Sequence, residues 1–186
     1  VIKILPGGVV TAKDTAEIEL DANGEFVRNP GVDLVKVAVV ERHQGTGNVA
    51  CGFLKGYGIK EGAVALSVAH DSHNIIVVGV NDEEMEFAVN SLIEQEGGIV
   101  LVKEGKVIES MPMPIAGLMS DQSGEWVDQK LTDIHEKAYE ELGICGDVEP
   151  VMTLCFMSLA VIPEIKLTDM GLFDVTTFSF IPVEVE

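Results

Sequence analysis

The sequence predicts a mixed α/β (α+β) fold in which helices pack on a central mixed β-sheet. Short apolar runs bounded by glycine or turn residues, such as Leu34–Val40 and Ala63–Leu66, are typical of buried strands. Two longer stretches instead repeat apolar residues at the spacing of an α-helix. At 186 residues the chain is shorter than the ~250 residues typical of a (β/α)8 barrel, so a complete barrel is not expected.

The first 28 residues are predicted to form a short β segment. Residues 1–5 and 16–20 indicate short strands, and the Asp-Ala-Asn-Gly run at 21–24 indicates a turn. Asn29-Pro-Gly then interrupts the chain before the clear strand pattern at Leu34–Val40. We therefore predict a boundary between residues 1–28, interpreted as the remnant of a small β domain, and a main domain of residues 29–186.

Five glycines between residues 45 and 58 invite comparison with phosphate-binding loops. Their spacing matches neither the dinucleotide-binding pattern Gly-x-Gly-x-x-Gly nor the P-loop pattern, so backbone turns are the better interpretation. Buried strands are then predicted at residues 63–66 and 75–78, between Gly62 and Gly79.

Two helices are predicted from their caps and apolar faces. Asn81 suits an N-cap with Glu84 three residues later, which is a capping box, and Gly97 ends the helix. Ser123 suits the N-cap of a second helix, which Gly143 ends. The predicted apolar faces are Met85, Val89, Leu92 and Ile93 in the first helix and Val127, Leu131, Ile134, Ala138 and Leu142 in the second. The neighbouring His135 is expected to be solvated or partnered by a glutamate.

Between the helices, residues 99–102 and 107–110 flank Glu104-Gly105, a strong hairpin signal. The Met-Pro-Met-Pro run at 111–114 is expected to end this pairing, because proline cannot donate to a central ladder. Residues 151–162 fit a strand or a helix equally well. Phe178, Phe180 and Val183 predict a final strand, with Pro182 indicating a sheet edge.

The segment 67–74 carries the strongest functional signal. It places two histidines, an aspartate, an asparagine and two serines between buried strands. Burying polar groups costs free energy unless each finds a partner, so the segment is either a satisfied structural network or part of a site. From the residues alone a structural network is slightly favoured. A self-contained metal centre is much less favoured, since no third ligand has metal-site spacing to His70 and His73.

Composition excludes several classes of function. The net charge of −19 would repel nucleic acid and anionic membranes. The longest apolar run, residues 151–162, is shorter than the ~20 residues that span a bilayer. A hydrophobic content of 47% excludes a disordered tail. Three cysteines without a framework spacing fit a reducing compartment, so a cytoplasmic location is expected.

Several motifs together closely resemble the C-terminal region of microbial adenine deaminase, a member of the amidohydrolase superfamily. The resemblance covers residues 29–186, and its order and spacing make chance an unsatisfactory explanation. The motifs are Glu41-Arg-His-Gln-Gly-Thr-Gly-Asn48, Gly52-Phe-Leu-Lys-Gly-Tyr-Gly58, residues 67–79, Asn81-Asp-Glu-Glu84, Pro114-Ile-Ala-Gly-Leu-Met-Ser-Asp121, Met152-Thr-Leu-Cys-Phe156, residues 161–169 and Gly171-Leu-Phe-Asp174.

The resemblance implies an enzyme that converts adenine and water into hypoxanthine and ammonia, in purine salvage. It also implies Mn²⁺ or Fe²⁺ in a (β/α) barrel, where a metal-bound hydroxide attacks the purine. The barrel's His-x-His motif is absent from this sequence. The chain is therefore expected to be a C-terminal piece whose partner is its own N-terminal barrel, with no metal or cofactor of its own. A homo-oligomer is left open.

Two roles for the domain follow, and they stay open at this point. In the first, active-site-facing residues complete the barrel's substrate site; the candidates are Ser67, His70, Asp71, His73, Asn74, Ser120 and Asp121. In the second, the same residues satisfy one another at a structural seam or oligomer interface. A third possibility is a stand-alone domain that binds a small molecule without catalysis, because fold-level kinship gives function only by analogy.

Overall fold

An eight-stranded mixed sheet forms the centre of the computed structural model, which describes residues 1–185. Its strand order is β10-β9-β7-β8-β5-β6-β1-β2. All neighbours are antiparallel except β1 and β6, which are parallel. The strands are β1 (Ile2–Ile4), β2 (Thr11–Lys13), β5 (Leu34–Val40), β6 (Val49–Lys55), β7 (Ala63–Leu66), β8 (Ile75–Gly79), β9 (Gly98–Lys103) and β10 (Lys106–Pro112).

Two small sheets and three helices complete the fold. The small sheets are a hairpin of β3 (Glu19–Leu20) and β4 (Phe26–Val27), and a three-stranded sheet of β11 (Ile165–Thr168), β12 (Gly171–Asp174) and β13 (Ser179–Phe180). The helices are α1 (Asp82–Glu94), α2 (Gly124–Glu140) and α3 (Pro150–Cys155). Within residues 1–185 no sheet closes into a barrel, so the predicted mixed fold is confirmed.

The two faces of the large sheet are covered differently. Helix α1 packs on β7, β8 and β9, where Met85, Ala88 and Leu92 are buried. The opposite face carries the larger core, beneath α2, α3 and the β11–β12 pair. The central strands β7 and β8 are buried along their whole length, which explains why they have continuous apolar runs rather than alternation.

Both predicted N-caps form. The Asn81 side chain accepts a hydrogen bond from the Glu84 N–H (2.8 Å), and that of Ser123 accepts one from the Trp126 N–H (3.3 Å). The reciprocal half of the capping box does not form, because the Glu84 carboxylate instead accepts from the Gly105 N–H. Ile93 was wrongly assigned to the apolar face of α1, since it is 57% exposed. Helix α1 ends one turn before Gly97, which has a left-handed φ of 98°.

The predicted hairpin of β9 and β10 is confirmed. Its turn residues Glu104 and Gly105 have φ values of 52° and 65°, as a tight two-residue turn requires. Residues 151–162, whose sequence fits a strand or a helix equally well, form most of the short helix α3 and then an irregular segment. The final strand is limited to Ser179–Phe180 at the edge of its sheet.

The beginning of the chain is joined to its end. Strands β1 and β2 belong to the large sheet, and β2 also meets the segment that enters β11. The Thr11 N–H donates to the Pro163 carbonyl (3.1 Å), and the Glu164 N–H donates back to the Thr11 carbonyl (2.8 Å). The buried Lys166 donates its ammonium to the Val9 carbonyl (2.9 Å). Two strands of the 1–28 segment thus belong to the main sheet and two form a separate hairpin, while the origin of this segment in a separate β domain stays a prediction.

Across residues 1–185, helices long and apolar enough to cross a membrane do not occur.

Candidate functional site

Three loops meet at one end of the large sheet. Strands β5 and β7 finish at this end and β6, β8 and β9 begin there, as their pairings Val40↔Ile75 and Leu66↔Ile99 require. The loops are residues 41–48, 67–74 and 113–123. We call this region the polar end.

Ser67 is fully buried and joins two of these segments. Its hydroxyl donates to the Gly117 carbonyl (2.5 Å) and accepts from the Gly98 N–H (2.8 Å). The neighbouring Gly97 permits this approach, because a Cβ there would lie 2.5 Å from the Gly117 Cα. The Ser67 hydroxyl therefore has a structural role, because both of its hydrogen bonds go to backbone groups.

The two histidines of the 67–74 loop lie beside each other. The ring centroids of His70 and His73 are 5.3 Å apart, and the His70 ring also lies 4.8 Å from that of Phe156. The loop is anchored by the His70 N–H, which donates to the Cys155 carbonyl (2.8 Å). These contacts fix the position of the loop while leaving the imidazole nitrogens of His70 without a hydrogen bond to another described residue.

His73 combines a left-handed backbone, an unpartnered ring nitrogen and a lowered pKa. Its backbone has a left-handed φ of 52°, which costs free energy for a residue with a Cβ. Its Nδ1 is enclosed yet has no hydrogen-bond partner within residues 1–185. Burial, and then the charges of His70 and Arg42, lower the pKa of His73 from its ordinary value of 6.5. His73 is therefore neutral at pH 7 and has an unused ring nitrogen.

Two residues that were not among the sequence candidates organise the polar end. The Arg42 guanidinium donates from Nε to the His73 carbonyl (2.5 Å) and from Nη2 to the Ala116 carbonyl (2.9 Å). The Glu41 carboxylate accepts from the N–H groups of His43, Gln44 and Thr46 and from the Thr46 hydroxyl. These bonds outweigh desolvation and lower the pKa of Glu41 to about 2.

Of the remaining candidates, only Asn74 is part of this network. It is buried, and its side-chain oxygen accepts from the Arg42 N–H (3.3 Å). Asp71 is exposed in the histidine loop. Ser120 and Asp121 bond locally instead, since both accept from Gln122 (3.2 and 2.7 Å). The structure thus brings Ser67, His70, His73 and Asn74 together and gives Ser120 and Asp121 no such contact.

The polar end does not fit a metal centre. Among residues 1–185, no three His, Cys, Asp or Glu side chains are placed so that they could share an ion. His135, the histidine in α2, lies against the Glu149 carboxylate, which is one of the two environments expected for it. The three cysteines are free thiols.

The family model and the curated relatives that match this chain all point to the same family. The family model described as adenine deaminase C-terminal domain matches residues 8–179. The chain belongs to this family. Among curated relatives, "Adenine deaminase 2" of Desulfotalea psychrophila is 71% identical over 99% of this chain and 32% of its own length. "Adenine deaminase" of Ligilactobacillus salivarius is 49% identical over 100% of this chain and 32% of its own length.

A third relative, "Adenine deaminase" of Bacillus velezensis, is 45% identical over 99% of the chain. The chain spans about a third of the length of these relatives. The resemblance predicted from motifs is thereby confirmed, and it extends into the first 28 residues, where no motif had been matched. In the described part of this adenine deaminase C-terminal domain, the candidate residues lie on loops at one end of the large sheet.

Sequence reasoning missed Glu41 and Arg42 because neither stands out by type or spacing. A weak signal was present: Glu41 is followed within six residues by Gly45, Thr46 and Gly47. An acidic residue beside turn-forming residues is a common way to bond the N–H groups of a loop.

Proposed function

We propose that this chain is the C-terminal part of an enzyme that hydrolyses adenine to hypoxanthine and ammonia, and that its polar end lines the substrate site. The catalytic assignment is supported by the names of relatives that match the whole chain at 45–71% identity. The assignment of the polar end is supported by one observation above all. His73 keeps an enclosed, unpartnered Nδ1 on a loop that its neighbours hold in place.

Imidazole side chains suit the recognition of a purine. A neutral imidazole has one donor and one acceptor nitrogen, and the edge of adenine likewise presents both donors and acceptors. In this proposal His70 and His73 hydrogen-bond the purine edge, and Asp71 orients one of them from the exposed side. The buried groups Ser67 and Asn74 hold the loop and do not touch substrate. Ser120 and Asp121 lie on the adjoining loop and are secondary candidates.

The family resemblance further implies Mn²⁺ or Fe²⁺. In the proposal this metal is bound by a barrel in the part of the longer protein outside this chain, which would also be the domain's partner. The residues described here offer no ligand set, so no step of the reaction is assigned to a metal on this chain. Free thiols fit an enzyme of the reducing cytoplasm.

The test is kinetic and uses the full-length enzyme. Replacing His70 or Asp71 by alanine should lower kcat/KM for adenine without unfolding the protein. The decrease should correspond to a loss of roughly 1–3 kcal/mol in transition-state stabilisation, as expected for a lost hydrogen bond to substrate. His135→Ala is the matched control, because His135 lies in α2 against Glu149, away from the polar end. Wild-type kinetics in both loop variants would refute the substrate-site role.

A structural role remains the second candidate function, and one feature favours it. Ser67, Asn74 and Arg42 use their polar atoms to bond the loops to each other. If His70→Ala loses thermal stability but keeps activity at low temperature, the polar end is a supporting seam. A domain that binds a small molecule by itself would instead bind adenine when the chain is isolated.

A further inference from the structure

We propose that Arg42 is a positioning residue for the deaminase reaction: its guanidinium locks the 67–74 and 113–121 loops together, so that His70 and His73 meet the substrate on one rigid surface. The inference rests on the proposed function, since it names the residue that holds the proposed substrate contacts. Arg42 itself touches neither ring nitrogen of these histidines; its bonds go to backbone carbonyls.

The geometry of the guanidinium allows it to bridge two loops at once. Nε donates to the His73 carbonyl and Nη2 donates to the Ala116 carbonyl, and these acceptors lie 43 positions apart in the chain. The Arg42 backbone N–H adds a bond to the Asn74 side chain. A planar fork with several fixed donors can span such acceptors, whereas a lysine ammonium at the end of a flexible chain is a single point charge.

The 113–123 loop combines its own turn bonds between Ile115, Leu118 and Met119 with such external bonds. Its residues Ala116 and Gly117 both have left-handed φ values, of 61° and 72°, a conformation that alanine adopts only at a cost. The guanidinium lies directly over Gly117, because a Cβ added there would be 3.0 Å from Arg42 Nη1 and 3.2 Å from its Cζ. Ser67 secures the next peptide group of the loop through the Gly117 carbonyl. The loop is thus held between a buried hydroxyl and a guanidinium.

Arg42, like Arg28, directs its charge at backbone carbonyls rather than at a carboxylate. Six lysines form ion pairs with carboxylates, as expected when 31 acidic residues face 12 basic ones. Arg42 has no carboxylate within ion-pair distance among the described residues 1–185, and the adjacent Glu41 uses its carboxylate for its own loop. A charged donor bonded to neutral carbonyls gives strong hydrogen bonds at the polar end.

Arg28 is a natural control. It is the only other arginine in the sequence, and it too donates to two backbone carbonyls, those of Ile59 (2.8 Å) and Lys60 (3.2 Å). These acceptors precede β7, at the opposite end of the sheet from Ser67. Arg28→Ala therefore removes a comparable set of bonds far from the polar end.

The experiment compares Arg42→Ala, Arg42→Lys and Arg28→Ala in the full-length enzyme. We expect both Arg42 variants to lose roughly 10- to 100-fold in kcat for adenine, because small misplacement of positioned groups is costly, while Arg28→Ala stays within about twofold of wild type. Guanidinium chloride at low millimolar concentration should restore part of the activity of Arg42→Ala, and equal sodium chloride should not. Hydrogen exchange should increase at residues 69–74 and 113–121 in Arg42→Ala only.

Three results would overturn the inference. Unchanged exchange in the two loops would show that Arg42 does not hold them. Faster exchange with wild-type kcat would show that the bonds from Arg42 to the two loops have no part in catalysis. Equal losses of kcat in Arg42→Ala and Arg28→Ala would reduce the effect to general stability. A wild-type full-length protein without adenine deaminase activity would instead refute the proposed function. Hydrogen exchange would still show whether Arg42 holds the two loops.

Discussion

His73 is the residue through which pH should act on the polar end. Its pKa is lowered from 6.5, first by burial and then by the charges of His70 and Arg42, with His43 acting in the same direction and Asp71 opposing it. As pH falls below 6.5, the unfolded chain takes up a proton that the folded chain resists. The free energy of unfolding is therefore unaffected by His73 above pH 6.5, and it decreases as pH falls from 6.5 through the lower pKa of the folded state.

We predict that wild type loses more stability than His73→Gln between pH 7.5 and pH 5.5. Urea unfolding at both pH values gives the comparison, and an NMR titration of the His73 ring should give a pKa below 6.5. A ring pKa at or above 6.5 would contradict this account. Glutamine keeps a polar side chain of similar reach, which separates loss of the imidazole from loss of volume.

Also at the residue scale, the sequence indicated which loop is polar but not which of its atoms are free. Ser67 and Asn74 were grouped with His70 and His73 because all four lie in one segment. The structure separates them: the first two are committed to backbone partners, while the imidazole of His73 keeps an unbonded nitrogen. Ser67 bonds to Gly117, 50 positions away, and Asn74 bonds to Arg42, 32 positions away. No local sequence pattern can indicate such distant partners.

At the scale of elements, local signals predicted what local interactions determine. The caps Asn81 and Ser123 and the Glu104-Gly105 turn depend on bonds within a few residues, and all three were predicted. The 151–162 run was ambiguous because its structure depends on distant contacts, such as the bond from the Tyr57 hydroxyl to the Pro150 carbonyl (2.8 Å). The exposed Ile93 shows that an apolar residue beside a stripe need not be covered.

Glycine substitutions test how tightly the elements are joined. Gly62, which enters β7, has a φ of 68°, and a Cβ there would lie 1.9 Å from the Val102 carbonyl oxygen. We expect Gly62→Ala to lower the free energy of unfolding by roughly 2–5 kcal/mol, because backbone strain and overpacking add.

Gly124→Ala is the matched comparison, since Gly124 begins α2 with open space around its Cα. Here alanine should raise the free energy of unfolding by about 0.4–1 kcal/mol by restricting the unfolded chain. Chemical denaturation of the isolated chain measures both. Similar values for the two variants would mean that the close approach at Gly62 is relieved by backbone movement.

At the scale of the whole molecule, this chain is about a third of its relatives and has no described ligand set for a metal. We predict that the isolated chain releases no ammonia from adenine, with or without added Mn²⁺ or Fe²⁺. The full-length enzyme under the same conditions is the positive control. Ammonia release by the isolated chain above that of a heat-denatured sample would contradict the proposal that the metal-dependent chemistry takes place outside this chain.

The junction of the two ends of the chain has a consequence for synthesis and folding. Thr11 is hydrogen-bonded to residues 163–165, and Lys13 pairs with Asp174, 161 positions later. A ribosome must therefore make almost the whole of this chain before Thr11 and Lys13 can reach these partners, although β1, the strand that pairs with β2, is made first. Such distant contacts are typical of slow folding, because a large loop must close before they form. The pairing of β2 with β1 is local, but the bonds that join β2 to residues 163–165 and to Asp174 form only after most of the chain has been translated.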